Sequence, residues 1–87
     1  MATHELQMKI YSPLGVIYDG PVLSVAFPGA AGGFAVYPSH APIIAALKAG
    51  VITYHTESHE PQTVSVKSGF VEVNDNLVTV CVEEAQS

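Results

Sequence analysis

Apolar residues recur at every second position along most of the chain. Leu6, Met8 and Ile10 share one side of an extended segment, and Gln7, Lys9 and Tyr11 share the other. Side chains alternate across a strand, so this period marks half-buried β-structure. Ser12-Pro13-Leu14-Gly15 is a turn. Val16 to Asp19 reads as a short strand that Gly20-Pro21 stops. In Val22 to Phe27, Leu23, Val25 and Phe27 lie on one side, with Ser24 and Ala26 on the other. Pro28 to Gly33 is a loop of small residues. Phe34 to Tyr37 is short and extended, because Pro38 disfavours helix in the residue before it.

Ile43 to Leu47 fits either one helical turn or a strand, and its position between Pro42 and Gly50 favours the strand. Val51 to Thr56 alternates again, with Ile52 and Tyr54 together, and Glu57 to Pro61 is a polar hairpin tip. Val64 and Val66 point one way; after Gly69 the apolar parity passes to Val71 and Val73. A slip of one residue reverses the faces of a strand, so Gly69 is expected at a bulge or sharp bend. Asn74-Asp75-Asn76 suits a hairpin turn, since Asn and Asp tolerate positive φ. Leu77 to Glu83 closes the chain with Val78, Val80 and Val82 inward. The pattern predicts about nine short strands and no long helix, in an all-β sandwich or barrel.

Length and charge narrow the class. The 87 residues make one domain, spanning residues 1–87. Apolar residues are 48% and charged residues only 13%. That is too apolar for disorder, and light in charge for a free monomer, which points to life in a complex. The net charge is −5, with Lys9, Lys48 and Lys67 the only cations besides histidine. Nucleic acid and anionic lipid head groups need clustered Lys and Arg, so neither is expected as a partner. Cys81 is the single cysteine, which rules out an intrachain disulfide and suits a reducing compartment. MATHELQMKIY has no basic segment followed by an apolar run, so no signal peptide is expected.

From Gly20 through Leu47 there is no Asp, Glu, Lys or Arg. A membrane helix needs roughly 20 mostly apolar residues. Pro21, Pro28, Pro38 and Pro42 interrupt this stretch, and an interior proline costs a helix about 3 kcal/mol. No insertion into lipid is therefore expected. The stretch must supply core strands and also outward apolar residues, because a strand has two faces. Contiguous exposed apolar surface usually means a partner.

Candidate chemistry is thin. Ser39-His40 lacks a carboxylate nearby in sequence, Asp19 and Glu57 being the nearest, and a nucleophilic triad needs three groups converging in space. His55 and His59 have a spacing that suits a metal on a helix, but they fall at a hairpin tip, where a solvated loop is the simpler reading. Cys81 shares a side with Thr79 and Glu83 and has no cation close in sequence to lower its pKa. Gly29-Ala30-Ala31-Gly32-Gly33 has no following lysine and no helix to receive a phosphate. No catalytic residue, metal or cofactor is expected.

Three passages in order carry a family likeness. SPLGVIYDGPVLSVAFPG is a turn, strand and turn leading to an apolar strand and a Pro/Gly loop. GGFAVYPSHAPIIAALKAGVI carries Pro38, His40, Ala41, Pro42, Ile43, Ile44, Lys48 and Gly50 between apolar strands. SGFVEVNDNLVTVCVEEA is a Gly-Phe-Val-Glu-Val strand, a turn and a Val-Thr-Val close. With these the chain resembles the epsilon subunit of F-type ATP synthase over nearly its whole length. The resemblance implies a ten-stranded β-sandwich, so the expected fold is all-β, a single β-sandwich of about nine to ten short strands.

It further implies a non-catalytic rotor subunit at the foot of the central stalk. Such a subunit binds the gamma subunit and the ring of c subunits, and acts on the catalytic alpha/beta head only indirectly. It lies peripherally on the cytoplasmic face of the bacterial inner membrane. Gly32, Gly33, Phe34, Ser39 and His40 are the expected contacts with the c-ring. Ala41, Pro42, Ile44, Gly69 and Phe70 are the expected contacts with gamma. Two departures stand out. Many relatives carry a carboxylate where Gly33 stands and glycine where Ala35 and Ser39 stand. The family's C-terminal helical hairpin, which can inhibit hydrolysis and in some members binds ATP, is missing from these residues, as in a natural short form or a truncated chain. The rival expectation is a free-standing β-sandwich module for a sugar or peptide. The absence of tryptophan and the scattered tyrosines weigh against it.

Overall fold

Eight strands organise residues 5–58 and 60–85, the part of the chain that the computed structural model describes. Residues 1–4, His59 and residues 86–87 lie outside it, so part of the expectation about a signal peptide and half of the His55/His59 pair do too. The strands are β1 (Leu6–Ser12), β2 (Gly15–Val22), β3 (Ser24–Phe27), β4 (Phe34–Val36), β5 (Ile43–Leu47), β6 (Gly50–His55), β7 (Gln62–Asn74) and β8 (Leu77–Glu84). They hydrogen-bond in the order β2-β1-β8-β7-β6-β3-β4, with β5 attached to β7. Every pair is antiparallel except β1 with β8.

The sheet folds over on itself. Tyr18 of β2 and Tyr54 of β6 have ring centroids 4.7 Å apart, although β1, β8 and β7 stand between their strands along the ladder. Only Leu23 separates β2 from β3, whose places in the order are also far apart. The chain therefore steps from one layer to the other at Leu23, whose N–H donates to the His55 carbonyl at 2.6 Å. β7 serves both layers: β6 pairs with Gln62–Val66, β5 with Gly69–Val73, and β8 with Val66–Asn74.

The inward face is the alternating apolar set read from the sequence. Leu6, Met8, Ile10, Ile52, Val71 and Val80 are each at most 1% exposed, and each such aliphatic side chain contributes about 1.5–3 kcal/mol by leaving water. Among the described residues no polar or charged side chain is buried. Tyr18 and Tyr54 close one end of the core, and burial pushes both phenols above their usual pKa of 10.0. The Tyr18 hydroxyl donates to the Pro21 carbonyl at 2.6 Å.

Four local expectations change. Gly20-Pro21 does not stop β2, which runs on to Val22; β2 is an edge strand, where a proline leaves no ladder bond unmade. Val22 is then the inward residue, and Leu23, at the crossing, is 37% exposed. The parity slip lies at Lys67, the extra residue between the Val66–Glu84 and Ser68–Glu83 pairs, and Gly69 already faces inward. Because the bulge bends β7 without ending it, two expected strands are one and the count is eight. Gly69 is fixed for another reason: a Cβ there would stand 2.5 Å from the Cys81 carbonyl oxygen and 3.0 Å from Val82 Cγ1.

Ile43 to Leu47 is a strand. The uncharged stretch divides as a two-faced strand requires: Val22, Val25, Phe27, Val36 and Leu47 are core, while Tyr37 and Ile44 are exposed. Among the described residues no helix is long and apolar enough to cross a membrane.

Candidate functional site

The outward face of β5, β7, β8, β1 and β2 is where the alternation breaks its own rule. Outward positions of a one-sided sheet are normally polar. Here the register lines up Ala46 beside Phe70, Phe70 beside Cys81, Cys81 beside Tyr11, and Tyr11 beside Val16. Five strands about 4.8 Å apart make this an apolar row roughly 19 Å long. Phe70 is 65% exposed. Two more exposed aliphatics, Ile44 and Leu77, stand one and two register steps away on the same side of the row.

The next row along the strands is polar except for Ile44. Ile44 faces Glu72, Glu72 faces Thr79, Thr79 lies beside Lys9, and Lys9 faces Asp19. Lys9 is held at this outer end: its Nζ lies 3.6 Å from Asp19 Oδ2 and 5.2 Å from the centre of the Tyr11 ring. Tyr11 first, then Asp19, raise its pKa above 10.5.

Two loops flank β5 at opposite ends. The loop 28–33 is pinned to the C-terminal end of β5. The Ala30 N–H donates to Ala46 O (2.8 Å) and the Lys48 N–H to Pro28 O (2.9 Å). Its tip exposes Gly32 and Gly33. Gly32 sits at φ 136°, a conformation that favours glycine. Phe34 roots the tip by packing on Phe27, with centroids 5.5 Å apart. The loop 37–42 is pinned instead to the β7–β8 hairpin. The Ser39 N–H donates to Asn76 Oδ1 at 2.7 Å, and Asp75 and Asn76 make the turn with φ of 54° and 63°. His40 closes on its own neighbourhood, its N–H donating to Tyr37 O and its Nδ1–H to Ala41 O.

The expected contact residues therefore fall into three places. Gly32, Gly33 and Phe34 are together. Ser39 and His40 are not with them but with Ala41 and Pro42, separated by the length of β5, about 13 Å. Ile44 and Phe70 share the outer face, one register step apart. Gly69 contributes its backbone there, its missing side chain pointing inward. Tyr11, Val16, Glu72, Leu77 and Cys81 belong to the same surface and escaped the sequence reading. The available signal was apolar residues at the polar parity, Tyr11 after Gln7 and Lys9 and Cys81 after Thr79.

Among the described residues no catalytic constellation forms. Asp75 borders the same depression as Ser39 and His40, but His40 gives its Nδ1 to the Ala41 carbonyl, so no carboxylate orients it. His55 Nδ1 lies 3.5 Å from Ser24 Oγ. Among the described residues no three His, Cys, Asp or Glu side chains could share a metal. The geometry suits protein contact.

Comparison with known proteins gives the same direction. Residues 5–87 match the family model of the ATP synthase delta/epsilon chain β-sandwich domain. The ATP synthase epsilon chain of Sulfurimonas denitrificans is 42% identical over 81 residues, which are 93% of this chain and 62% of that one. That of Leptospira borgpetersenii serovar Hardjo-bovis is 36% identical over 83 residues, 95% of this chain and 65% of that one. The chain thus spans less than two thirds of the length of these curated relatives. Among solved structures, a chain of the Euglena gracilis mitochondrial ATP synthase (OSCP/F1/c-ring) superposes with a TM-score of 0.89 at 19% identity, covering 99% of this chain and 55% of that one. A chain of the Tetrahymena thermophila mitochondrial ATP synthase central stalk and c-ring gives 0.77 at 11% identity, over 97% and 67%. At those identities the likeness shows the β-sandwich fold alone.

Proposed function

The chain belongs to the family of ATP synthase delta/epsilon chain β-sandwich domains, and from that premise we propose that it is a non-catalytic rotor subunit of an F-type ATP synthase. In this reading it couples rotation of the c-ring to the gamma subunit, and through gamma to ATP synthesis in the alpha/beta head. It sits peripherally on the cytoplasmic face of the bacterial membrane. No residue of its own takes part in the chemistry. Its work is mechanical: a wider footing between gamma and the ring keeps torque from slipping.

The observation that carries this reading is the outer face with Ile44 and Phe70 on a member of this family. A lone exposed aliphatic needs no explanation, but a row crossing five strands does. We assign that face to gamma. Ser39 and His40 go with it, because they sit beside Ala41 and Pro42 and not beside the glycine loop. The uncharged tip with Gly32, Gly33 and Phe34 is assigned to the c-ring. Its small residues let a partner approach the backbone closely, and backbone groups there stand in for the carboxylate many relatives carry at the position of Gly33. The matched family and relatives offer nothing for a free-standing sugar or peptide module.

Affinity capture of the tagged chain from membranes of its source organism tests the reading. Gamma, the head subunits and the c-ring should be recovered together by mass spectrometry. A folded chain that brings down none of them sinks the proposal.

A further inference from the structure

Two carboxylates on the outer face have no ion pair among the described residues: Glu83 near the end of β8, and Glu72 among the exposed apolar side chains. Glu72 stands on β7 between Ile44 of β5 and Thr79 of β8, two residues from Phe70 on the same face. Whatever covers Ile44 and Phe70 covers Glu72 with them. No cation among the described residues pairs with it. Lys9 faces Thr79, not Glu72, and its ammonium is turned to Asp19 on the far side. Lys67 lies at the bulge and Lys48 beyond the end of β5.

Exposed, this costs nothing, because water solvates the carboxylate. Covered by an apolar surface, an unpaired charge loses that water with nothing to replace it. A face that offers Phe70 and Ile44 for burial while holding an unpaired carboxylate beside both is thus selective. It rejects a purely apolar partner and accepts one that brings a positive charge to a single point.

We infer that the partner surface seated on this face is apolar with one Lys or Arg placed over Glu72, and that Glu72 determines the specificity of docking. The Thr79 hydroxyl beside it is a further acceptor for such a donor, and a guanidinium suits two acceptors side by side. The inference rests on the reading above that gamma covers this face.

The test titrates the 87-residue chain with gamma from the same organism, at low and high salt, for the natural chain, Glu72→Gln, Glu72→Lys and Ile44→Glu. Glu57→Gln, at the hairpin tip between β6 and β7, is the control. Glu72→Gln keeps the shape and removes the charge; it should raise Kd at least about tenfold and abolish most of the salt dependence. Glu72→Lys should bind weaker still, and Glu57→Gln should stay within about twofold of the natural chain. Unchanged unfolding midpoints in urea exclude misfolding as the cause. If Ile44→Glu loses gamma while Glu72→Gln binds within about twofold, gamma still sits on the face and the inference alone falls. If the natural chain does not bind gamma, the reading and the inference fall together.

Discussion

Replacing Ile44 with Glu separates a core residue from a docking residue. The side chain is 77% exposed in the free chain, so its removal forfeits little packing, and surface changes of this kind usually cost no more than about 0.5 kcal/mol. The new carboxylate would face Glu72 directly across the β5–β7 ladder, and like charges so placed add about 0.2–1 kcal/mol of repulsion. The domain should therefore stay folded, with a modestly lower urea midpoint. Docking should suffer far more. Full burial of such a side chain is worth about 1.5–3 kcal/mol, and roughly three quarters of that, about 1.2–2.3 kcal/mol, is still available for a partner to collect. At 1.4 kcal/mol per decade this is about 7- to 50-fold in Kd, before the cost of covering a second carboxylate is counted. The assay pairs equilibrium urea unfolding with biolayer interferometry against gamma. Ile44→Ser isolates the apolar loss from the charge, and Ile52→Glu, in the core, provides the unfolded reference. Loss of the folded state in Ile44→Glu would show that β5 packs with the opposite face inward. A folded Ile44→Glu that binds gamma within about twofold would show that this face is not the seat.

Gly69→Ala should lower stability by about 1–3 kcal/mol in urea unfolding, because its Cβ meets the Cys81 backbone oxygen and the Val82 side chain with no room to turn; an unchanged midpoint would contradict the close β7–β8 approach. Stability should also fall in alkali: burial raises the pKa of Tyr18 and Tyr54 above 10.0, so their contribution is full below that value and is lost as pH rises through the folded-state pKa values. Tyr54→Phe should flatten this loss in urea midpoints followed across the alkaline range, and an equal loss in both proteins would contradict it.

The strands were legible because their inward sides are nearly all aliphatic and the period of two is strict. What was not legible was set by neighbours far away in sequence. Whether Gly20-Pro21 ends β2 depends on β2 having nothing beyond it, and edge status is not a local property. The slip in parity across β7 was plain, but the sequence could not say that Lys67 rather than Gly69 is the extra residue. That follows from the partner register with Glu83 and Glu84. Ile44 and Phe70 could be suspected separately, yet that they share a face is known only once Ala46 is paired with Phe70 and Ile44 with Glu72. The same holds for the loops. Gly33 and Ser39 are close in sequence, but β4 lies between them and each loop is tied to a different end of β5. Cys81 likewise has meaning on this face only through its pairing with Phe70 and Tyr11, which no local pattern shows.

That cysteine provides the most direct test of the docking face. Cys81 is exposed, lies between Phe70 and Tyr11 in the apolar row, and is the only thiol in the chain. Its rate of alkylation by N-ethylmaleimide, followed by mass spectrometry, can be compared in the free chain and in the purified complex with gamma, with no substitution in either. If gamma covers the row, the thiol should react readily when free and at least about tenfold more slowly in the complex. Equal rates in an intact complex would place gamma elsewhere and leave the outer face without its proposed occupant.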